Sequence, residues 1–325
     1  MTLRVSVVIP TYKRPQLLMR CLEALVDQSF EPSAYEIIVV DDGQTDDTEA
    51  AVAQLAELTR GSPEIRYLRP EGTRGPAAAR NRGWRAAESA VIAFTDDDTI
   101  PDRDWLRYGM LAMTMDRAAA WGRVVVPTAD DPPTDHEKNT RGLENAEFVT
   151  ANAFVRRDAL EAVGGFDERF KRAWREDADL YFSLLQRFGT VDPVPAALVI
   201  HPVRPAPWGV SVMQQANMFF DALLYKKHPR HYRELIRRMP PWRYYLIVTC
   251  AIGALVCALG GSPVLALLLG MVACGFIGAF AWQRLRDTSH RPRHVAEMVL
   301  TSVAIPFLSV FWRLAGALRF RVPFI

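Results

Sequence analysis

Three acidic groups are spaced so that they could do chemistry: Asp96-Asp97-Asp98, Asp41-Asp42 and Glu176-Asp177. Asp96 and Asp98 stand two residues apart after the β-rich run Val91–Phe94, so both side chains point to one side. A hard divalent cation, Mg²⁺ or Mn²⁺, takes carboxylate oxygens and keeps positions for phosphate and water. Bound there, it can bridge the phosphates of a diphosphate and stabilise negative charge building on them. On this reading Asp98 sits on the metal and Asp96 faces a ribose or a metal-bound water, and the plainer alternative is a solvated turn. Asp41 follows Ile37–Val40, where a carboxylate could accept the imide N–H of a uracil ring. The alternative is that Asp41 or Asp42 only orders the turn at Gly43. Glu176-Asp177 opens a helical pattern, and the pair reads equally as a general base for a hydroxyl proton or as a helix cap. Arg80 follows a Gly-rich stretch and could pair with phosphate or stack on a base, against a plain surface salt bridge. His201 is a further metal or phosphate ligand on this reading, against a structural histidine.

These residues need a scaffold, and the patterning supplies one. Short β-rich runs at Val5–Ile9, Ile37–Val40, Ile65–Leu68 and Val91–Phe94 alternate with helical spacing at Gln16–Gln28, Asp47–Leu58 and Pro76–Ala87. Pro15 suits a first helical turn, and Thr45 or Asp46 can cap the second helix. The alternation predicts an α/β domain with a mostly parallel sheet and helices on both faces. Ligands of such sheets bind beyond the carboxyl ends of the strands, where both Asp41-Asp42 and Asp96–Asp98 fall. A strand at Phe148–Val155, a helix over Asp177–Phe188 and a last strand at Leu198–Ile200 are predicted beyond a turn-rich stretch at Asp130–Pro133.

The 325 residues divide by polarity into a soluble domain over 1–205, an amphipathic and basic segment over 206–243, and an apolar region over 244–325. From Tyr244 to Gln283 there is no Asp, Glu, Lys or Arg, and Gly260-Gly261-Ser262-Pro263 breaks the run. This predicts a transmembrane hairpin of about Tyr244–Leu259 and Pro263–Trp282. Arg237, Arg238 and Arg243 precede it, and Arg284, Arg286, Arg291 and Arg293 follow, so both ends belong on the cytoplasmic side. Met298–Trp312 reads as a third membrane helix or an interfacial one. No signal peptide opens the sequence, which keeps the first domain cytoplasmic. The four cysteines form no CxxC pair and read as buried hydrophobes in a reducing compartment. A net charge of +2 with no basic stripe argues against nucleic acid as a partner.

Taken in order, the motifs resemble the family 2 glycosyltransferases of the GT-A fold over about residues 4–205. The matching pieces are Val7–Arg14, Glu36–Gly43 with Thr45-Asp46, Ala78–Gly83, Phe94–Asp98, Gly164–Glu168 and Glu176–Leu180. The resemblance implies an inverting, single-displacement transfer of a sugar from a nucleotide-diphosphate donor, with uridine as the family-level expectation for its base. It implies that Pro10, Thr11 and Tyr12 line the nucleotide pocket, with Arg14, Asp41, Arg80, Asp96 and Asp97 among the donor-binding residues. It places the metal on Asp98, with Asp96 and His201 beside it, and makes Asp177 the base with Glu176 as its partner. Gly43-Gln44 replaces the family's commoner Gly-Ser. The Gln-x-x-Arg-Trp motif of processive members is absent, which favours a single transfer. The hairpin points to a lipid, lipid-linked or glycan acceptor at the cytoplasmic membrane face. A nucleotidyltransferase on a related fold and a non-catalytic membrane scaffold are the competing readings.

Overall fold

The computed structural model describes residues 4–113 and 117–324. It divides into two compact units, one of Met1–Pro127 with Arg141–Val203, the other of Thr128–Thr140 with Arg204–Ile325.

The first unit holds strands β1 (Val5–Thr11), β2 (Tyr35–Asp41), β3 (Glu64–Leu68), β4 (Val91–Thr95), β5 (Ile100–Pro101), β6 (Ala119–Val125), β7 (Asn152–Arg156) and β8 (Asp192–Ile200). Its helices are α1 (Pro15–Val26), α2 (Asp46–Thr59), α3 (Pro76–Ala86) and α4 (Trp105–Ala112), then, beyond α5 (Asp135–Arg141), α6 (Arg157–Val163) and α7 (Glu176–Phe188). The strands form one sheet in the order β3-β2-β1-β4-β7-β6-β8-β5. The pairs β3-β2, β2-β1 and β1-β4 are parallel, while β7 runs antiparallel to both β4 and β6. The sheet is therefore parallel over its first four strands and mixed beyond.

β1 and β2 are apolar runs buried on both faces, as parallel strands between helical layers require. β1 continues two residues past Ile9, through Pro10. Its pairing with β4 ends at Val8↔Phe94, so the missing proline N–H interrupts no bond on that side. The strand expected over Phe148–Val155 begins only at Asn152, because Phe148 takes a left-handed φ of 50° and stacks flat on Tyr181. α3 lies against the sheet through Gly83, where an added Cβ would come within 2.3 Å of Val8 Cγ1 and 3.2 Å of Val40 Cγ2. Gly83→Ala is expected to cost about 1–3 kcal/mol by overpacking. A lower melting midpoint checks this.

The second unit holds α5, α8 (Val210–Met213), α9 (Met218–Lys227), α10 (Pro229–His231), α11 (Trp242–Leu259), α12 (Pro263–Leu285) and α13 (Pro292–Phe320). Within the amphipathic segment α8 and α9 are joined by a 3₁₀ turn, and Phe220, Ala222, Leu223 and Leu224 are buried. α9 packs on α13 at Gly316, where an added Cβ would lie 2.4 Å from the Phe219 carbonyl oxygen. Residues 204–241 thus belong with the apolar helices. Among the described residues α11, α12 and α13 are each long and apolar enough to cross a membrane. The third is a 29-residue helix, well beyond the Met298–Trp312 stretch that the sequence marked.

Candidate active site

The parallel register sets Thr11 beside Asp41 and Val8 beside Phe94, so β2, β1 and β4 end side by side. The acidic residues that follow share one rim of the sheet. Thr99 and β5 come directly after Asp98, and β5 pairs antiparallel with β8 at Ile100↔Ile200. That pairing carries His201 back against the aspartates, with its N–H on the Val125 carbonyl at 2.8 Å.

Asp96, Asp98 and His201 each offer one ligand atom, and these atoms lie within 4.8 Å of one another. His201 Nε2 is 3.6 Å from Asp98 Oδ1, and both residues are buried. His201 Nδ1 is buried without a hydrogen-bond partner. Two carboxylates and an imidazole make a donor set that suits Mg²⁺ or Mn²⁺, with positions left over for phosphate and water. The residues present therefore fit a divalent cation.

Arg80, on α3 and only 3% exposed, binds on both sides. One NH group donates to Asp96 at 2.8 Å and the other to Glu176 Oε1 at 2.9 Å. It is not the surface salt bridge that the sequence left as the alternative. It is a buried link between a cluster aspartate and the first turn of α7. Glu176 Oε2 is buried without a partner. Burial pushes the Glu176 carboxyl up to about 7, opposed by Arg80 and reinforced by the Asp177 charge. Asp177 is partly exposed and accepts the Ala178 N–H at 2.7 Å. Burial raises its pKa, the Ala178 N–H, Arg175 and Arg80 lower it, and the Asp96 charge raises it again. Arg80→Ala would leave the buried Glu176 and the partly exposed Asp96 without their guanidinium partner, and losing one partner of a buried pair costs about 3–5 kcal/mol. A clear fall in the melting midpoint, with Arg80→Lys restoring only part of it, is the expected result.

Asp97 points elsewhere. It accepts from Thr11 Oγ1 at 2.8 Å and from Arg14 at 3.2 Å, tying β1 and the turn after it to the end of β4. Burial pushes its carboxyl up to about 6 against the pull of Arg14. Pro10 and Thr11 close β1, and Tyr12 beyond them is 51% exposed.

Asp41 is fully buried at the end of β2. Its carboxylate accepts the N–H groups of Gly43 and Thr45 at 2.8 and 3.0 Å and the Tyr67 hydroxyl at 3.0 Å. Those bonds order the turn, which is the alternative the sequence left open. Asp42 holds the Gly75 N–H at 3.0 Å with one oxygen, while its other oxygen, Oδ1, is buried without a partner. Asp42 is thus the carboxylate with acceptor capacity to spare at this strand end, and sequence reasoning did not select it. The usable signal was that a carboxylate two residues before Gly43 can close an Asx turn, which occupies Asp41.

The chain matches the Glycosyl transferase family 2 profile over residues 6–166, and the Glycosyl transferase family group 2 profile over residues 91–283, the latter more than half its length. It is 30% identical to Glycosyltransferase AglE of Haloferax volcanii over 50% of this chain and 55% of that protein. It is also 30% identical to the Pre-mycofactocin glycosyltransferase of Mycobacterium tuberculosis over 62% of this chain and 43% of that one. The matched region is about half the length of these curated relatives. Among solved structures, a mannosyltransferase from Pyrobaculum calidifontis in complex with GDP-Man and Mn²⁺ superposes with a TM-score of 0.60 at 21% identity, covering 96% of this chain and 88% of that one. Staphylococcus aureus TarS 1–349 superposes with a TM-score of 0.50 at 15% identity, covering 96% of this chain and 92% of that one. The fold is GT-A, and on the profile match, the relatives and the order of its motifs this chain belongs to the family 2 glycosyltransferases.

Proposed function

We propose that the chain is an inverting glycosyltransferase that takes a sugar from a nucleoside-diphosphate donor, with a divalent metal, at the cytoplasmic face of a membrane. The observation that carries the proposal is the convergence of Asp96, Asp98 and His201, joined through Arg80 to the first turn of α7. Asp98, with Asp96 and His201, would hold the metal, which would supply Lewis-acid stabilisation to the departing diphosphate. Thr11, Tyr12 and Asp42 line the nucleoside side, and Asp42 Oδ1 accepts from a base imide. Asp177 removes the acceptor hydroxyl proton as that oxygen attacks the anomeric carbon. The new C–O bond forms on the face opposite the breaking bond to the diphosphate, so the anomeric configuration inverts. A raised pKa makes Asp177 the stronger base. Arg80 acts as a positioning residue, fixing Asp96 against the start of the helix that carries Asp177.

The hairpin α11–α12 embeds the chain in the bilayer, which supports a lipid or lipid-linked acceptor, or a glycan displayed at that face. The test is a donor panel with purified full-length protein and Mn²⁺. The panel includes UDP-sugars, the family-level expectation, and GDP-mannose, the ligand in the structural neighbour's title. Release of nucleoside diphosphate with one donor supports the reading, and a proton NMR spectrum of the product reports inversion or retention. Release of pyrophosphate from a nucleoside triphosphate would support nucleotidyl transfer instead.

A further inference from the structure

By length and composition α13 qualifies as a membrane span, yet its contacts place both of its ends on one side. At its start, Arg291 pairs with Asp130 at 2.9 Å, Ser289 N–H donates to the Pro133 carbonyl at 2.9 Å, and Asp135 N–H donates to His294 at 3.0 Å. One turn further on, Glu297 accepts the Gly209 N–H at 2.6 Å. At its end, Lys226 donates to the Phe320 carbonyl at 2.7 Å, and Phe324 packs on Tyr225 and Tyr232 at 5.2 and 5.4 Å. Every one of these partners, residues 130–135, 209 and 225–232, precedes α11, the first candidate span among the described residues. A helix of 29 residues is about 43 Å long, more than the roughly 30 Å hydrocarbon core. With both ends on the same side, it cannot be crossing.

The side chains agree. One face of α13, with Thr301, Ser302, Ser309 and Arg313, is buried, and Arg284 donates to Thr301 at 2.7 Å and to Ser302 at 3.2 Å. The opposite face exposes Leu300, Phe311, Leu314 and Leu318. The apolar window of α13 is 39% covered, against 11% for α11 and for α12. A two-faced helix of this kind fits the boundary between headgroups and acyl chains. The competing topology would carry residues 209–227 through the membrane alongside α13. It would then place Lys226, Lys227, Arg230, Arg233, Arg237 and Arg238 outside, against the positive-inside rule.

We infer that α13 lies in the cytoplasmic leaflet with its Leu300–Leu318 face in lipid, so that α11 and α12 are the only crossing helices among those described and the end of α13 returns to the cytoplasmic side. The inference rests on the membrane reading above, and the test separates the two. Ser262→Cys, in the hairpin turn, and Arg321→Cys, beyond α13, are expressed in the full-length chain in bacterial spheroplasts and treated with a membrane-impermeant maleimide, the unaltered chain giving the background. The expected result is labelling of position 262 in intact spheroplasts and of position 321 only after permeabilisation. Labelling of both in intact spheroplasts would overturn the in-plane helix while keeping the hairpin. Labelling of position 262 only after permeabilisation would overturn the hairpin and the inference with it. A carboxyl-terminal fusion reads the same question without a cysteine: a green fluorescent reporter should fluoresce, and active alkaline phosphatase would contradict the inference.

Discussion

Asp98→Ala is expected to abolish turnover, by at least about a thousandfold if the several kcal/mol of Lewis-acid stabilisation is lost with the metal. The loss should appear as failure of Mn²⁺ to promote donor binding, not as unfolding. Asp98 adds to the crowding of acidic charge that raises the neighbouring Asp97, so its removal relieves repulsion inside the cluster. Three measurements on one preparation separate the effects: donor Kd with and without Mn²⁺, initial rate, and melting midpoint. A variant that stays folded, binds donor without regard to metal and does not turn over is the expected result. His201→Ala should give a milder form of the same behaviour, because two carboxylates remain.

Asp177→Asn should leave donor affinity within about twofold and lower kcat by about 10²–10⁴, the range typical of losing a positioned general base. Asparagine keeps the shape and an oxygen for the Ala178 N–H, so α7 retains its first turn. The pH profile carries an independent check. An Asp177 that works as a base must be ionised, so activity falls as pH drops through its pKa. Burial raises that pKa, so the acid limb of kcat/KM should lie above the ordinary aspartate range. In Asp177→Asn the residual rate should lose that limb.

Much of this arrangement was legible from residue types. Buried runs ending in aspartates identified the parallel half of the sheet and the rim on which the acids sit, because an apolar strand and a polar terminus follow from local patterning alone. Glycine and proline marked the hairpin turn at Gly260–Pro263 and the start of α3 for the same reason. What the sequence could not show depends on pairing between distant segments. The place of His201 follows from the two-residue strand β5, too short to leave a periodic signal, meeting β8 antiparallel. The double ion pair of Arg80 joins residues 16 and 96 positions away. The division of labour between Asp41 and Asp42 turns on Tyr67 and on the backbone of the Gly43 turn, and neither is visible in an Asp-Asp pair. The attachment of residues 128–140 to the unit that holds α11–α13, through Arg284–Asp135 at 2.7 Å, also joins stretches with no shared sequence signature.

In the proposed reaction one divalent ion, held by Asp98, Asp96 and His201, carries the diphosphate of the donor. A crystal or cryo-EM structure of the full-length protein with Mn²⁺ and a nucleoside diphosphate examines that arrangement, with anomalous scattering to identify the metal in a crystal. A Mn²⁺ peak about 2.1 Å from an Asp98 oxygen is expected, the distance of a hard octahedral cation, with diphosphate oxygens in its shell. A nucleoside diphosphate bound with the ion away from Asp98 and His201, or bound equally well with those residues turned from it, would rule the arrangement out.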